Sequence, residues 1–171
     1  MTENVPEDWQ SRVDAVWQDE EMDDTARIAA IDALSTELGD EHPVALFERA
    51  GARDSAGIEG EAEPLYRAAL AAGLDPMRRT RAVIQLASTI RNLGKVDESL
   101  AMLAAEYDAS RGGPLADEAA AFYALALTSV GDERRAASVA LTALAPHLSR
   151  YTRSVTGYAA ELLGPARPVG D

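Results

Sequence analysis

The sequence predicts an all-α protein built from repeated helical hairpins. Alanine supplies 34 of the 171 residues and aromatic residues only 5%, and alanine is the strongest helix former. A chain of this length, with 47% hydrophobic and 26% charged residues, is typical of one globular domain. Apolar residues with a helical period then repeat at a fixed interval. A core of small side chains favours helix packed on helix.

The repeat is marked by three glycines. Gly57, Gly94 and Gly131 are spaced by 37 residues. Each is preceded, seven residues earlier, by an alanine and followed, five residues later, by another small residue. These small residues are Ala50, Ala87 and Ala124 before the glycines, and Ala62, Ser99 and Ala136 after them. Several columns in one register indicate an internal repeat.

Each repeat reads as two helices joined at its glycine. Before the second glycine, Val83, Leu86, Ala87 and Ile90 follow the i, i+3, i+4, i+7 pattern of a helix. A glycine at a helix C-terminus takes the left-handed conformation that turns the chain. Acidic residues such as Asp132 then stabilise the first turn of the next helix. The small residues let the two helices approach closely.

Three stretches carry a family resemblance: FERAGARDS from Phe47, YRAALAAGLDP from Tyr66, and QLASTIRNLG from Gln85. Over about residues 43–163 the chain resembles tetratricopeptide-repeat (TPR) proteins, in particular a bacterial long-repeat subfamily of the group 5 type. The resemblance implies a right-handed α-α superhelix, a TPR-like solenoid with capping helices. The chain departs from the family pattern at Arg49 and Arg53, where large apolar residues are expected. Its spacing of 37 residues also exceeds the usual TPR period of 34 residues.

The predicted organisation has two capped ends. An acidic helical hairpin occupies residues 1–42, repeats occupy 43–76, 80–113 and 117–148, a capping helix occupies 149–163, and a flexible tail occupies 164–171. The stripe of Trp9, Val13, Val16 and Trp17 favours packing of both tryptophans against the first repeat over ligand stacking. At the other end the apolar residues of the closing helix are Tyr151, Val155, Tyr158, Leu162 and Leu163.

The charge of the chain limits the classes of partner that it is expected to bind. The net charge is −13, and residues 1–42 hold 13 acidic and two basic residues. This acidity repels a phosphate backbone, so no nucleic-acid partner is expected. No apolar run approaches the roughly 20 residues that cross a bilayer, and the first residues do not resemble a signal peptide. We therefore expect a cytoplasmic protein that does not bind membranes.

Catalytic and metal-binding motifs are not found. Gly94-Lys95 is followed by Val96, which breaks the phosphate-binding loop motif, and the chain has no cysteine. His42 and His147 fall in predicted linkers without a second ligand nearby, so both are expected to be exposed. The sequence predicts no enzyme activity, no cofactor and no metal.

The resemblance implies that the first helix of each repeat lines a concave groove. Projection at about 100° per residue places Phe47, Glu48, Gly51, Asp54 and Ser55 on the free face of the first repeat. Either Phe47 or Phe122 is expected to hold an apolar side chain of a peptide. The candidate binding residues of the groove are Phe47, Asp54, Arg81, Gln85, Ser88, Arg91, Asn92, Phe122 and Leu125.

Two features of the second repeat leave alternatives open. Arg91 either binds a ligand carboxylate, beside an Asn92 that pairs with a peptide backbone, or forms an internal ion pair with Asp54 in the equivalent place of the first repeat. The cluster of Arg78, Arg79 and Arg81 is either an anion site or solvated surface. Pro76 is expected to begin the helix, so these cations oppose the helix dipole.

Together these observations favour a non-catalytic scaffold that binds a protein or peptide partner in the concave groove. The alternative is a structural module that self-associates as a homodimer and buries Phe122 and Leu125 between copies. The chain is thus expected to be a monomer or a homodimer.

Overall fold

The computed structural model describes residues 5–164, and the predicted tail, apart from Gly164, lies outside them. The chain divides into two compact units, Met1–Gly94 and Lys95–Asp171. Within the described range there are nine α-helices and no strand. The all-α prediction is confirmed.

The first unit contains five helices, in which each helix packs on the next and α3 also contacts α5. They are α1 (Glu7–Gln18), α2 (Asp24–Thr36), α3 (Pro43–Ser55), α4 (Glu59–Ala72) and α5 (Pro76–Asn92). The second unit contains α6 (Val96–Ala109), α7 (Ala116–Ser129), α8 (Glu133–Leu144), a 3₁₀ turn (Ala145–His147) and α9 (Thr152–Glu161). There α7 packs on α6 and α8, and α8 packs on α9.

The three repeat glycines lie directly after α3, α5 and α7. Their φ angles are +72° at Gly57, +83° at Gly94 and +79° at Gly131. This left-handed conformation is strained for other residues, so glycine is required at these turns. The small residues in the same register, from Ala50 to Ala136, are all buried. The predicted hairpin geometry is confirmed both at the glycine turns and at the buried small residues.

Polar side chains fix where several helices begin. The Asp75 carboxylate accepts the backbone N–H groups of Met77 and Arg78, so α5 begins at Pro76, which confirms the predicted start of this helix. His42 was expected to be exposed and this is wrong. It is 9% exposed, and its Nδ1 accepts the backbone N–H of Val44 at 3.2 Å. The histidine is buried because it caps α3.

The N-terminal hairpin has its own core. Trp9 and Val13 of α1 pack with Ile31 of α2 and with Val44 and Ala52 of α3. The buried Trp9 indole donates to the Leu34 carbonyl at 2.7 Å. The expectation that the tryptophan stripe packs against the first repeat is confirmed.

The structure explains the two arginines that depart from the family pattern. Arg53 makes two hydrogen bonds with the Asp32 carboxylate, at 2.9 and 2.8 Å, and a third with Glu61 at 3.3 Å. Arg49 pairs with the same Asp32 at 3.3 Å. The Arg53 hydrogen bonds lower the pKa of Asp32. Charged side chains thus replace apolar packing where α2 meets α3.

The closing helix packs differently from the prediction. In α9 the buried residue is Ala159, whose carbonyl accepts the Ser138 hydroxyl at 2.7 Å. Tyr151 is 74% exposed and Tyr158 is 65% exposed. The two tyrosines and Leu163 of the expected packing stripe therefore face solvent, whereas Val155 and Leu162 are half-buried.

Candidate functional site

A pocket opens between α1, α3 and α5 in the first unit. It has a volume of about 140 Å³. Its lining residues come from all three helices: Trp17, Phe47, Glu48, Gly51, Arg81 and Gln85. Three of them, Phe47, Arg81 and Gln85, are candidate binding residues, which the structure brings together.

The α3 wall of the pocket is more deeply buried than the helical projection predicted. Phe47 is 2% exposed and Glu48 is 5% exposed. The Arg81 guanidinium lies over the Phe47 ring, 5.1 Å from the ring centroid. The centroids of the Phe47 and Tyr66 rings are 6.3 Å apart. Placing Phe47 on a free face, ready to hold a peptide side chain, was wrong because neighbouring helices cover it. Phe47 supports the pocket from below.

Trp17 forms the α1 wall of the pocket. Its indole nitrogen donates to Glu48 Oε2 at 2.8 Å. A Cβ atom at Gly51 would lie 3.4 Å from the Trp17 ring. The Trp17 ring therefore lies directly against the backbone of Gly51. Packing of Trp17 against the first repeat was favoured over ligand stacking, so its place in a pocket wall was not predicted.

The Glu48 carboxylate is the buried charge of the site. Burial raises its pKa, while the Trp17 hydrogen bond and the charges of Arg81 and Arg78 act in the opposite direction. Glu48 forms no ion pair with any residue in the part of the chain that the structure describes. The buried carboxylate is thus only partly compensated by its surroundings.

Replacing Glu48 by glutamine tests this electrostatic balance. A carboxyl group with a raised pKa in the folded state stabilises the fold fully below its unfolded pKa, and that contribution is lost as pH rises through the folded pKa. Glutamine keeps an oxygen for the Trp17 N–H and carries no charge. We therefore expect Glu48→Gln to gain stability relative to the wild type as pH rises from 4.5 to 7.

The measurement is urea unfolding of both proteins at several pH values in that range. The difference between the two curves isolates Glu48, because Asp32 and the other carboxyl groups titrate in both proteins. A difference in unfolding free energy that stays constant with pH would contradict the expectation.

Two side chains of α5 complete the pocket. Arg81 is exposed at the rim, and Gln85 is half-buried. The Oε1 atom of Gln85 is buried and, within the part of the chain that the structure describes, has no hydrogen-bond partner. An unpaired buried acceptor is unfavourable in a folded protein and calls for an explanation. The oxygen is sealed from solvent, so a ligand in the pocket reaches it only if the Gln85 side chain moves.

Comparison with known proteins identifies the family. A family model described as "Tetratrico peptide repeat" matches residues 43–162. The chain belongs to the tetratricopeptide repeat (TPR) family. The group 5 type of the matched model agrees with the predicted subfamily. No curated protein and no solved structure matches the chain significantly. TPR units are protein-interaction modules that typically carry no catalytic activity.

Asp54 is another candidate binding residue of this TPR chain. Its side chain points toward the neighbouring helices. Its carboxylate accepts the Thr89 hydroxyl at 2.8 Å and the Tyr66 hydroxyl at 3.3 Å. Burial raises the pKa of Asp54. Among the described residues no ion pair joins Asp54 to Arg91, so the internal-pair alternative for Arg91 is wrong. Asp54 instead links α3, α4 and α5 through hydroxyl groups.

The other candidates are divided between the two units. Ser88 and Arg91 are half-buried and Asn92 is exposed, all on α5. Phe122 is half-buried and Leu125 is 48% exposed, both on α7 of the second unit. That these two residues share one TPR groove with α5 stays a prediction.

The arginine cluster at the start of α5 is not a uniform patch. Arg78 bonds to Asp75 at 2.7 Å and to Gln10 of α1 at 2.6 Å. Arg81 instead lies over Phe47 at the pocket. Of the cluster, Arg78 is engaged in holding α1 and α5 together, and Arg81 is the member at the site.

Both histidines of the chain lie within residues 5–164, the part that the structure describes. No group of three or more His, Asp or Glu side chains there could hold a metal ion. His147 is exposed, as expected, and its Nε2 lies 2.9 Å from Asp117 Oδ2. No described helix combines the length and the apolar character that crossing a membrane requires.

Proposed function

We propose that this TPR chain is a non-catalytic scaffold that binds a peptide segment of a partner protein along α5, with the pocket between α1, α3 and α5 as its anchor. The observation that carries the proposal is the pocket itself, with the exposed Arg81 at its rim above the buried Phe47 ring.

The α5 surface beyond the pocket supports a peptide ligand. Arg81, Gln85, Ser88 and Asn92 follow at i, i+4, i+7 and i+11, which puts them on one face of the helix. Amide side chains can pair with both the N–H and the C=O of an extended backbone. The Arg91 guanidinium, which forms no ion pair with Asp54, adds a donor for a ligand carboxylate near the end of the helix.

The test begins with selection of a displayed random peptide library on the immobilised full chain. Affinity of the selected peptides is then measured by fluorescence anisotropy. We expect Arg81→Ala to weaken binding at least about tenfold, as truncation of an interface arginine often does. Arg153→Ala removes an exposed arginine of α9 in the other unit and is the matched control, with no expected change.

Circular dichroism of each variant verifies that it is folded. Failure to select any peptide, or selected peptides that bind the Arg81→Ala and wild-type proteins equally, would overturn the proposed site.

Self-association is the competing function, and the exposure of Leu125 is the observation that favours it. Light scattering at several protein concentrations distinguishes the two. A mass that stays that of a monomer removes the homodimer. A dimer that dissociates in a Leu125→Glu variant would instead support it.

A further inference from the structure

The most exposed large apolar side chains of the described residues cluster around α9. Tyr151 is 74% exposed, Tyr158 is 65% exposed and Leu163 is 64% exposed, whereas no other large apolar side chain within residues 5–164 exceeds 49%. Tyr151 precedes the helix, Tyr158 lies within it and Leu163 follows it. Apolar side chains that cluster on a surface mark a place where another molecule binds.

Helix α9 packs through one face and leaves the opposite face exposed. Ala159 is buried, and its carbonyl accepts the hydroxyl of Ser138 from α8. Among the described elements, α9 contacts only α8 and the 3₁₀ turn. Four exposed residues follow at i, i+3, i+4 and i+7 and form what we call the outer face of α9: Ser154, Gly157, Tyr158 and Glu161.

Nothing in the described part of the chain requires a glycine at position 157. Gly157 lies in the middle of α9, and a Cβ atom there would meet no other atom within 4 Å. Alanine would therefore fit, and it is the better helix former. A glycine on an exposed helix face allows the backbone of a second helix to approach closely. A partner helix packed against the outer face gives this glycine a physical reason.

The charges on either side of Gly157 are complementary to a second copy of the same helix. Arg153 lies four residues before Gly157, Glu161 lies four residues after it, and both are exposed. They are about 12 Å apart along the helix axis, too far to pair with each other, and neither pairs with another described residue. In an antiparallel pair of α9 helices that meet at Gly157, Arg153 of each copy lies at the level of Glu161 of the other.

A parallel pair of α9 helices would instead place Arg153 beside Arg153 and Glu161 beside Glu161. The charges thus select one orientation of one partner, a second copy of this chain.

We propose that two copies of the chain associate through the outer face of α9, antiparallel and with Gly157 at the two-fold axis. Arg153 and Glu161 form two ion pairs across the interface. The two Tyr158 rings meet beside the glycines, and Tyr151 of each copy lies at the level of Leu163 of the other. A symmetric pair of this kind closes on itself, so association stops at the dimer.

This dimer is independent of the proposed peptide site. That site is on α5 of the first unit, whereas α9 belongs to the second unit, so each copy keeps its own peptide affinity. The dimer also differs from the competing self-association, which buries Phe122 and Leu125 of α7. If the proposed function holds, the α9 dimer is a scaffold with two peptide sites, and it binds a partner that carries two such segments more tightly than one site does.

Sedimentation equilibrium of the full chain, from micromolar to submillimolar concentrations, tests the proposal. We expect a dimer with a Kd on the order of 10 μM, since a single pair of helices buries less area than a typical dimer interface. Arg153→Glu and Glu161→Arg each bring like charges together and are expected to weaken the dimer at least about tenfold. The double variant exchanges the two charges and should return the Kd to within about threefold of the wild type.

A second variant tests the close approach at the axis. Gly157→Leu is expected to abolish the dimer, because its side chain fills the space between the two backbones. Leucine is a better helix former than glycine, so the circular dichroism and melting temperature of the monomer should not fall. Gly60→Leu makes the same change at an exposed glycine of α4, where a Cβ atom also meets nothing within 4 Å. It is the matched control and should keep the wild-type Kd.

Three results would overturn the proposal. They are a monomer at every concentration, a dimer that Gly157→Leu leaves intact, and a charge-exchanged double variant that dimerises no better than the single variants. A dimer that dissociates in Leu125→Glu and not in Gly157→Leu would place the interface on α7 instead. Peptide binding that depends on Arg81 would stand in all of these cases, and its absence would leave the dimer unaffected.

Discussion

Replacing Trp9 by alanine is expected to lower the unfolding free energy of the first unit by about 3–5 kcal/mol, the usual cost of deleting a fully buried aromatic side chain. Trp9 is 1% exposed and packs with Val13, Ile31, Val44 and Ala52. The substitution leaves a cavity, and it also removes the donor to the Leu34 carbonyl. It therefore loosens α1 from both α2 and α3.

Urea unfolding followed by fluorescence measures this effect. Both tryptophans lie in the first unit, so Trp17 remains as its reporter in the variant. Val16→Ala, at a half-buried position of the same helix, is the control and should cost about 1 kcal/mol or less. A Trp9→Ala cost as small as this would mean that α1 is not anchored by its tryptophan.

The same substitution links stability to the candidate site. Trp17, which forms one wall of the pocket and donates to Glu48, is held over Gly51 by the packing of α1. Where Trp9 no longer anchors that helix, Trp17 loses its fixed position. The shape of the pocket thus depends on Trp9, although Trp9 does not line the pocket.

The repeat could be predicted from sequence because it is set locally. Glycine is strongly favoured where the chain turns with positive φ, as at Gly57 and Gly131, and small side chains are favoured where two helices meet closely. Both requirements fix residue types at given positions. The glycines and small residues therefore recur at a spacing of 37 residues, which is visible in the sequence.

The exposure of the first-helix face could not be predicted in the same way. Projection of α3 alone places Phe47 and Glu48 on a free face, but α1 and α5 cover them. Which helices cover a face is decided by contacts between segments distant in sequence, such as Trp17 with Glu48. The one signal that could have found Trp17 was its position opposite a glycine in mid-helix, Gly51.

The hydrogen-bond partners of individual polar groups could not be predicted from the sequence either. Asp54 and Arg91 are in equivalent places of successive repeats, yet Asp54 bonds to Thr89 and Tyr66 instead. Gln85 was predicted to be a binding residue of the groove, and only the structure shows that its side-chain oxygen is buried and has no hydrogen-bond partner among the described residues. Equivalent positions in a repeat share backbone geometry, but hydrogen-bond partners depend on the particular neighbours.

Replacing Ala62 by leucine is expected to destabilise the first unit by about 1–3 kcal/mol, the usual cost of overpacking a core. Ala62 is 0% exposed and belongs to the column of small residues that follows each glycine. It lies on α4, which packs closely on α3. Three extra carbon atoms at this position force the helices apart or force side chains out of their preferred rotamers.

Ala68→Leu makes the same change at an exposed position of the same helix and should alter stability by no more than about 0.5 kcal/mol. Because helix propensity changes equally in both variants, the difference between their urea midpoints reports packing alone. If Ala62→Leu is tolerated as well as Ala68→Leu, close helix approach does not explain the small residues. Their recurrence would then follow from the high alanine content of the chain, and the register of the hairpins would rest on the glycine turns alone.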